Sequence, residues 1–255
     1  MTPSSGPGKV ERYLLDQMRA GPIHFTLIDP DKSPSATAGK VAELAVAEGS
    51  HAILLGGSTG MTPEKMGAAA RAVKAVVPVP AIIFPEGPGS LSRDADAVLF
   101  MSLLNSRRLD LVVRAHAKAA PAVRALGLEA IPLGYLVIEP GMRVGEVGEV
   151  DVIPRHDAAA AAGYGLAAEY LGMRFVYLEA GSGAPAPVPV SIVSAVREVL
   201  SVPIVVGGGI RSAAEAHALL NAGANALVTG TITEQEGVGP AFRGILEEIR
   251  GARHG

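Results

Sequence analysis

The sequence predicts an α/β fold, a (β/α)8 TIM-like barrel with a shortened connection between strands 3 and 4. Three observations carry this expectation. Apolar runs of strand length alternate eight times with helix-like segments over about 230 residues, the count and size of such a barrel. The chain is 49% hydrophobic, and its runs are continuous rather than alternating, as in a parallel sheet buried on both faces. Several runs empty into polar or glycine-rich turns, and in a barrel of this type those turns share one mouth. A doubly wound sheet is the alternative. It usually carries its glycine fingerprint after the first strand, where this chain has Asp29-Pro30-Asp31.

Each element has a local reason. Residues 10–20 set Val10, Tyr13, Leu14, Gln17 and Met18 along one side of a helix, and Gly21-Pro22 stops it. A first strand, 23–28, ends at Asp29-Pro30-Asp31-Lys32. A helix over 35–48 closes at Gly49, and a second strand, 51–55, ends in Gly56-Gly57-Ser58-Thr59. Thr62 caps a helix over 63–76 that has proline in its first turn. A third strand spans 80–84. Only residues 85–96 precede the fourth, 97–101, which leaves room for a short helical turn instead of a full crossover helix. A helix over 107–126, a strand over 130–138, a long loop over 142–155 and a helix over 157–171 follow. Strands at 174–178, 203–206 and 226–228 then alternate with helices at 189–200, 212–221 and 240–250. With no linker or compositional break, residues 1–255 are expected to form one domain, with 1–9 as a flexible tail instead of a signal peptide.

Composition narrows the function. Net charge is -3 and aromatic content 4% without Trp, so neither a basic field nor stacking platforms for nucleic acid are supplied. Cysteine is absent, which excludes disulfides, thiol catalysis and Cys-ligated metals. No apolar stretch approaches the ~18–20 residues of a membrane span. A cytoplasmic protein is expected.

The barrel mouth collects the chemistry. By strand position it gathers Asp29, Ser58, Glu86, Asn105, Glu139, Glu179, Ser182, the turn Gly207-Gly208-Gly209 and Thr231. Glycines that admit backbone contact, followed by a helix starting near Ser212 and flanked by Gly230-Thr231, form an anion cradle. A helix-capping glycine turn without ligand is the bland reading. Asp29 with Ser58 suits the protein's share of an Mg²⁺ shell, or Asp29 and Asp31 simply form an Asx turn around Pro30; both readings stand on these residues alone. Asp31 and Lys32 read as loop structure. Glu179 is the carboxylate nearest the cradle, able to accept a proton or to serve as a structural acceptor. Tyr177, two residues earlier on the same strand, faces the interior with it. His24 and His51 open their strands at the opposite end and read as structural. His156 reads as solvated. Arg107 and Arg108 read as solvated charges or as a diphosphate contact.

Read together, Ile28-Asp29-Pro30-Asp31-Lys32, Gly56-Gly57-Ser58, Ser102-Leu103-Leu104-Asn105-Ser106, Tyr177-Leu178-Glu179-Ala180-Gly181-Ser182-Gly183, Val206-Gly207-Gly208-Gly209-Ile210-Arg211 and Gly230-Thr231 closely resemble the geranylgeranylglyceryl phosphate synthase family. The resemblance implies a prenyltransferase joining the 3-hydroxyl of sn-glycerol 1-phosphate to a polyprenyl (geranylgeranyl) diphosphate, the first ether bond of archaeal membrane phospholipids. It implies Mg²⁺ on Asp29 and Ser58. It assigns glycerol phosphate to Tyr177, Leu178, Glu179, Ala180, Gly181, Ser182, Gly183, Gly208, Gly209, Gly230 and Thr231, with Glu179 catalytic. It also implies a homo-oligomer whose only membrane contact is at the surface, through its lipid product. One departure stands out. Many relatives carry lysine where this chain has Leu27; its remaining motifs resemble the second archaeal subgroup, so contacts inferred from lysine-bearing relatives need not transfer. The short 85–96 connection would leave an apolar groove for a prenyl tail. Another phosphate-binding barrel, such as a sugar-phosphate isomerase or aldolase, and a non-enzymatic phosphate sensor are the alternatives.

Overall fold

A computed structural model of the chain describes residues 6–33, 35–57 and 60–254. Eight parallel strands close on themselves in sequence order: β1 (Ile23–Ile28), β2 (Ala52–Leu55), β3 (Ala81–Ile83), β4 (Ala97–Leu103), β5 (Glu129–Val137), β6 (Phe175–Glu179), β7 (Ile204–Gly207) and β8 (Ala226–Thr229). The last strand returns to the first, pairing Phe25 with Val228. The expected barrel is the one observed. The connection from β3 to β4 carries only a three-residue 3-10 turn, Pro88–Ser90, as its length required.

The helices are α1 (Lys9–Arg19), α2 (Ser35–Ala47), α3 (Pro63–Lys74), α4 (Ala115–Leu126), α5 (Met142–Val147), α6 (Ala158–Tyr170), α7 (Val190–Val199), α8 (Ala213–Asn221), α9 (Thr231–Glu236) and α10 (Pro240–His254). Thr62 caps α3 as its sequence indicated, accepting from the Lys65 N–H at 3.3 Å. Three differences matter for the mouth. The 142–155 segment is not all loop, because α5 occupies its first half. A further short helix, α9, follows β8. The helix expected over 107–126 begins as a π-helical turn, Asp110–Arg114, before α4. Of the tail expected over residues 1–9, the first five lie outside the described residues, and Lys9 already opens α1.

Interior side chains of successive strands, among them Phe25, Leu54, Leu99, Leu133, Phe175 and Val205, pack into one core. Leu14 of α1 enters this core from below, so α1 closes the face opposite the mouth. It is fixed there by Glu129, whose carboxylate accepts the N–H groups of Val10 and Glu11, both at 2.8 Å. Fully buried Glu11 pairs in turn with Arg174. A carboxylate buried this deeply would be costly without the guanidinium that donates to it.

His24 and His51 are structural, as their end of the barrel indicated. His24 is fully buried, its ring 2.6 Å from Ser50 Oγ and 3.0 Å from Thr229 Oγ1. Burial, helped by His51, pushes its pKa down to about 3; burial and Arg253 push His51 to about 4. Both are neutral in the fold, whereas in the unfolded chain they take protons near 6.5. Their contribution to stability is therefore expected to be flat above that value. Below it, each histidine costs about 1.4 kcal/mol per pH unit until its own depressed pKa is reached. Urea midpoints at several pH values would show this, and His51→Gln should make the acid slope shallower.

Candidate active site

The strand ends bring Asp29, Gly57, Glu86, Glu179 and Ser182 to one cavity of about 470 Å³. A second, smaller cavity of about 70 Å³ is lined by Tyr177, Glu179, Ser182, Gly183, Gly208, Gly209, Gly230 and Thr231. Leu27, Glu179 and Ser182 line both. Glu179 thus stands where a small chamber meets a larger, more strongly apolar one.

The small chamber is built from turns that only glycine makes cheaply. Gly208 and Gly209 have φ of +81° and +72°, a region costly for other residues. A Cβ on Gly208 would lie 2.3 Å from Glu179 Oε1, and one on Gly209 2.5 Å from the Ala186 carbonyl oxygen. Ser182 and Thr231 hydroxyls meet at 3.1 Å across the mouth. The start of α8 is less available than its sequence suggested. Ser212 and Glu215 form a capping box, and the Glu215 carboxylate also takes the Arg211 N–H at 2.8 Å. An anion here is therefore left to the 208–209 turn and the hydroxyls. Gly208→Ala is expected to cost about 2 kcal/mol of stability through strain. Glycerol phosphate should bind roughly tenfold more weakly, as titration calorimetry would read.

Glu179 is buried, and burial raises its pKa. The Gly181 N–H at 2.7 Å, the Tyr135 hydroxyl at 3.2 Å and the Tyr177 hydroxyl donate to it and offset part of that rise. Both tyrosines are held well above their usual pKa, first by their own burial and then by the Glu179 charge. They remain neutral donors, and their rings pack tilted at 38° with centroids 5.0 Å apart. Gly207 makes room for this arrangement, since a Cβ there would lie 2.0 Å from the Tyr177 oxygen. Tyr135 was missed from sequence. Its signal was register: Tyr135 sits opposite Tyr177 on the neighbouring strand.

The large cavity is a groove. Phe84, Leu99, Met101 and Tyr135 line it together with Pro88 and Leu91 of the short connection. Leu111, Ala115, Ala119 and Val123 roof it from the π turn and α4, and Val144 and Val147 from α5.

Other residues fall elsewhere. Leu178 and Ala180 are fully buried in the core between sheet and helices, so only their backbone belongs to the mouth. Asn105 clasps β4 to β5, donating to the Val137 carbonyl at 2.9 Å. Glu139 accepts from the Arg155 N–H at 3.3 Å, outside both cavities. Arg107 faces Asp151 at 3.7 Å and Arg108 donates to the Val147 carbonyl at 3.1 Å, which favours the bland reading of both. Lys32, read as loop structure, instead lines the large cavity. Asp29 is buried, with Oδ1 accepting the Asp31 N–H at 3.0 Å. Ser58 lies outside the described residues.

The PcrB family model matches residues 15–249. The chain belongs to the PcrB family. Among PcrB relatives, the geranylgeranylglyceryl phosphate synthase of Thermococcus gammatolerans is 49% identical, covering 95% of this chain and 96% of that protein. The synthase of Methanothermobacter marburgensis is 47% identical over 89% of this chain and 92% of its own length. The crystal structure of (S)-3-O-geranylgeranylglyceryl phosphate synthase from Thermoplasma acidophilum, in complex with sn-glycerol-1-phosphate, superimposes with a TM-score of 0.91 at 44% identity. It covers 96% of this chain and all of that one. A thiamine phosphate pyrophosphorylase from Pyrococcus furiosus, TM-score 0.56 at 14% identity, shares the fold alone.

Proposed function

We propose that this PcrB-family chain is a prenyltransferase. It joins the 3-hydroxyl of sn-glycerol 1-phosphate to C1 of geranylgeranyl diphosphate and releases pyrophosphate, the first ether bond of archaeal phospholipids. The observation that carries the reading is the position of Glu179, shared by a small chamber lined by glycine turns and hydroxyls and a larger, mainly apolar groove. The crystal structure of the relative with sn-glycerol-1-phosphate supports the acceptor.

The residues divide the work. Gly183, Gly208, Gly209, Gly230, Ser182 and Thr231 hold the phosphate. Tyr177 and Tyr135 orient the Glu179 carboxylate, and the backbone of 178–181 completes the chamber. The acceptor oxygen bonds to C1, the C1–oxygen bond of the diphosphate breaks with its electron pair, and the hydroxyl proton passes to Glu179. Burial makes that carboxylate a better base than an exposed one. Holding acceptor and donor in one mouth removes the cost of bringing them together. Leu27 lines both cavities, so this site holds the phosphate with no cation at that position.

Asp29 and Ser58 are the proposed seat of Mg²⁺. The set fits chemically. Mg²⁺ is content with one or two carboxylates plus waters and substrate oxygens, and Asp29 lines the cavity with Oδ2 outside the turn hydrogen bond. When bound, the ion offsets negative charge on the diphosphate.

The aldolase alternative has little footing, because none of the eight strands carries a lysine for a Schiff base. Cytoplasmic location, a homo-oligomer and surface contact with membranes through the product belong to the same proposal. Among the described residues, no helix is long and apolar enough to cross a membrane.

The test is direct. The protein is incubated with labelled sn-glycerol 1-phosphate and geranylgeranyl diphosphate, with and without Mg²⁺, with sn-glycerol 3-phosphate in parallel. Extraction should recover an ether-linked lipid from the 1-phosphate arm. No ether product under any condition removes the reading.

A further inference from the structure

The turn after β1 projects Lys32 into the mouth. Its ammonium lies 2.8 Å from Glu234 Oε2 on α9 and 3.7 Å from Asp29 Oδ2. Asp29 Oδ1 is engaged by the Asp31 N–H, so the oxygen that faces Lys32 is the one left to a cation. Asp29, Glu86, Glu179 and Glu234 line the large cavity beside the cations Lys32 and Arg143. A diphosphate entering a wall with four carboxylates needs positive partners, and the lysine is already there.

The bridge to Glu234 is weakly held. The Lys32 side chain is 56% exposed, and bridges of that kind contribute little to stability. A lysine stem is flexible and its ammonium donates in any of three directions. Nothing in the fold ties it permanently to its present partners.

We propose that Lys32 is a direct contact of the prenyl diphosphate. Without donor its ammonium rests between Glu234 and Asp29; with donor it leaves both for phosphate oxygens. Two charges decide the exchange. Asp29 Oδ2 cannot serve a divalent ion and an ammonium equally, and a diphosphate outbids one partly exposed carboxylate for the lysine. When the C1–oxygen bond breaks, the electron pair stays on the pyrophosphate oxygen and the ammonium keeps its proton, donating hydrogen bonds to the leaving group. Glu234 turns to solvent. In this account Glu234 competes with the substrate for Lys32.

That competition yields opposite signs for two variants of one salt bridge. The inference rests on the prenyl-transfer reading, so the assay measures inorganic pyrophosphate binding in the presence of Mg²⁺ by titration calorimetry, with no turnover needed. Lys32→Met should bind pyrophosphate roughly tenfold to hundredfold more weakly. Lys32→Arg should recover most of the loss. Glu234→Gln should bind as well as the parent or a few-fold more tightly. Glycerol 1-phosphate, titrated into each variant, should bind as in the parent, which also shows that the variants fold. Equal weakening in Lys32→Met and Glu234→Gln would mean the bridge is merely structural and would overturn the proposal; so would parental affinity in Lys32→Met. Failure of the parent to make an ether would sink the prenyl-transfer reading and leave these affinities interpretable on their own.

Discussion

Replacing Glu179 with glutamine is expected to lower turnover by roughly 10²–10⁴-fold, the usual range for losing a general base, while glycerol phosphate affinity stays near that of the parent. The split follows from the site. On the proposed reading, turns and hydroxyls that the substitution leaves alone hold the phosphate. Glutamine also keeps the local hydrogen bonds. Its carbonyl can accept the Gly181 N–H, now 2.7 Å from Oε1, and its NH₂ can donate to the Tyr135 hydroxyl, now 3.2 Å from Oε2. What disappears is the ability to take a proton. In the parent, activity should rise as pH passes upward through the raised Glu179 pKa. Unchanged turnover in the variant would remove the base role.

The same substitution should make the protein more stable at neutral pH. Burial raises the Glu179 pKa above 4.5. The unfolded chain gives up this proton more readily than the folded one. The proton's contribution to stability is present in full below the unfolded pKa and is lost as pH rises through the folded value. Glutamine carries no such charge, so melts at pH 8 should favour the variant and melts near pH 4 should not. On the proposed reading, a charged base is kept at the expense of the fold, the trade-off common to active sites.

How much of this was legible depended on the distance over which each signal acts. The barrel was legible because its signal is local and repeated: apolar runs of strand length with polar ends. Tyr177 and Glu179 were legible as a pair because a strand puts residues two apart on one face. Tyr135 was not, since only the register of β5 against β6 brings its hydroxyl to Glu179. Lys32 followed a proline turn and looked like loop chemistry; the folding of α9 over the mouth supplies its partner Glu234. The 208–209 glycines were legible as a tight turn, but the α8 helix start behind it was over-read as an anion site. Ser212 and Glu215 form a recognisable capping box, and such a box uses the helix-start N–H groups itself. The 142–155 segment misled because two glycines and a valine-rich pattern hide the single helical turn and a half of α5.

The shortened connection can be tested as a groove by filling it. Ala119 lies on α4 over the cavity, with Pro88 and Leu91 of the connection also in its lining. A tryptophan there would add a large ring to a space of about 470 Å³. The long donor needs the full length of the groove, and a shorter one needs only the part near Glu179. Ala119→Trp is therefore expected to lower kcat/KM for the twenty-carbon donor by about a hundredfold or more, the scale of losing several buried methylene contacts. The ten-carbon donor, geranyl diphosphate, should lose far less. The ratio of the two specificity constants is the measurement that decides, because general damage to the protein lowers both together. A site with the tail in another place would show no change in that ratio. The reason to expect the change lies in the chain itself: thirteen residues, 84–96, join β3 to β4 where a crossover helix would otherwise stand, and the cavity they help line reaches Glu179.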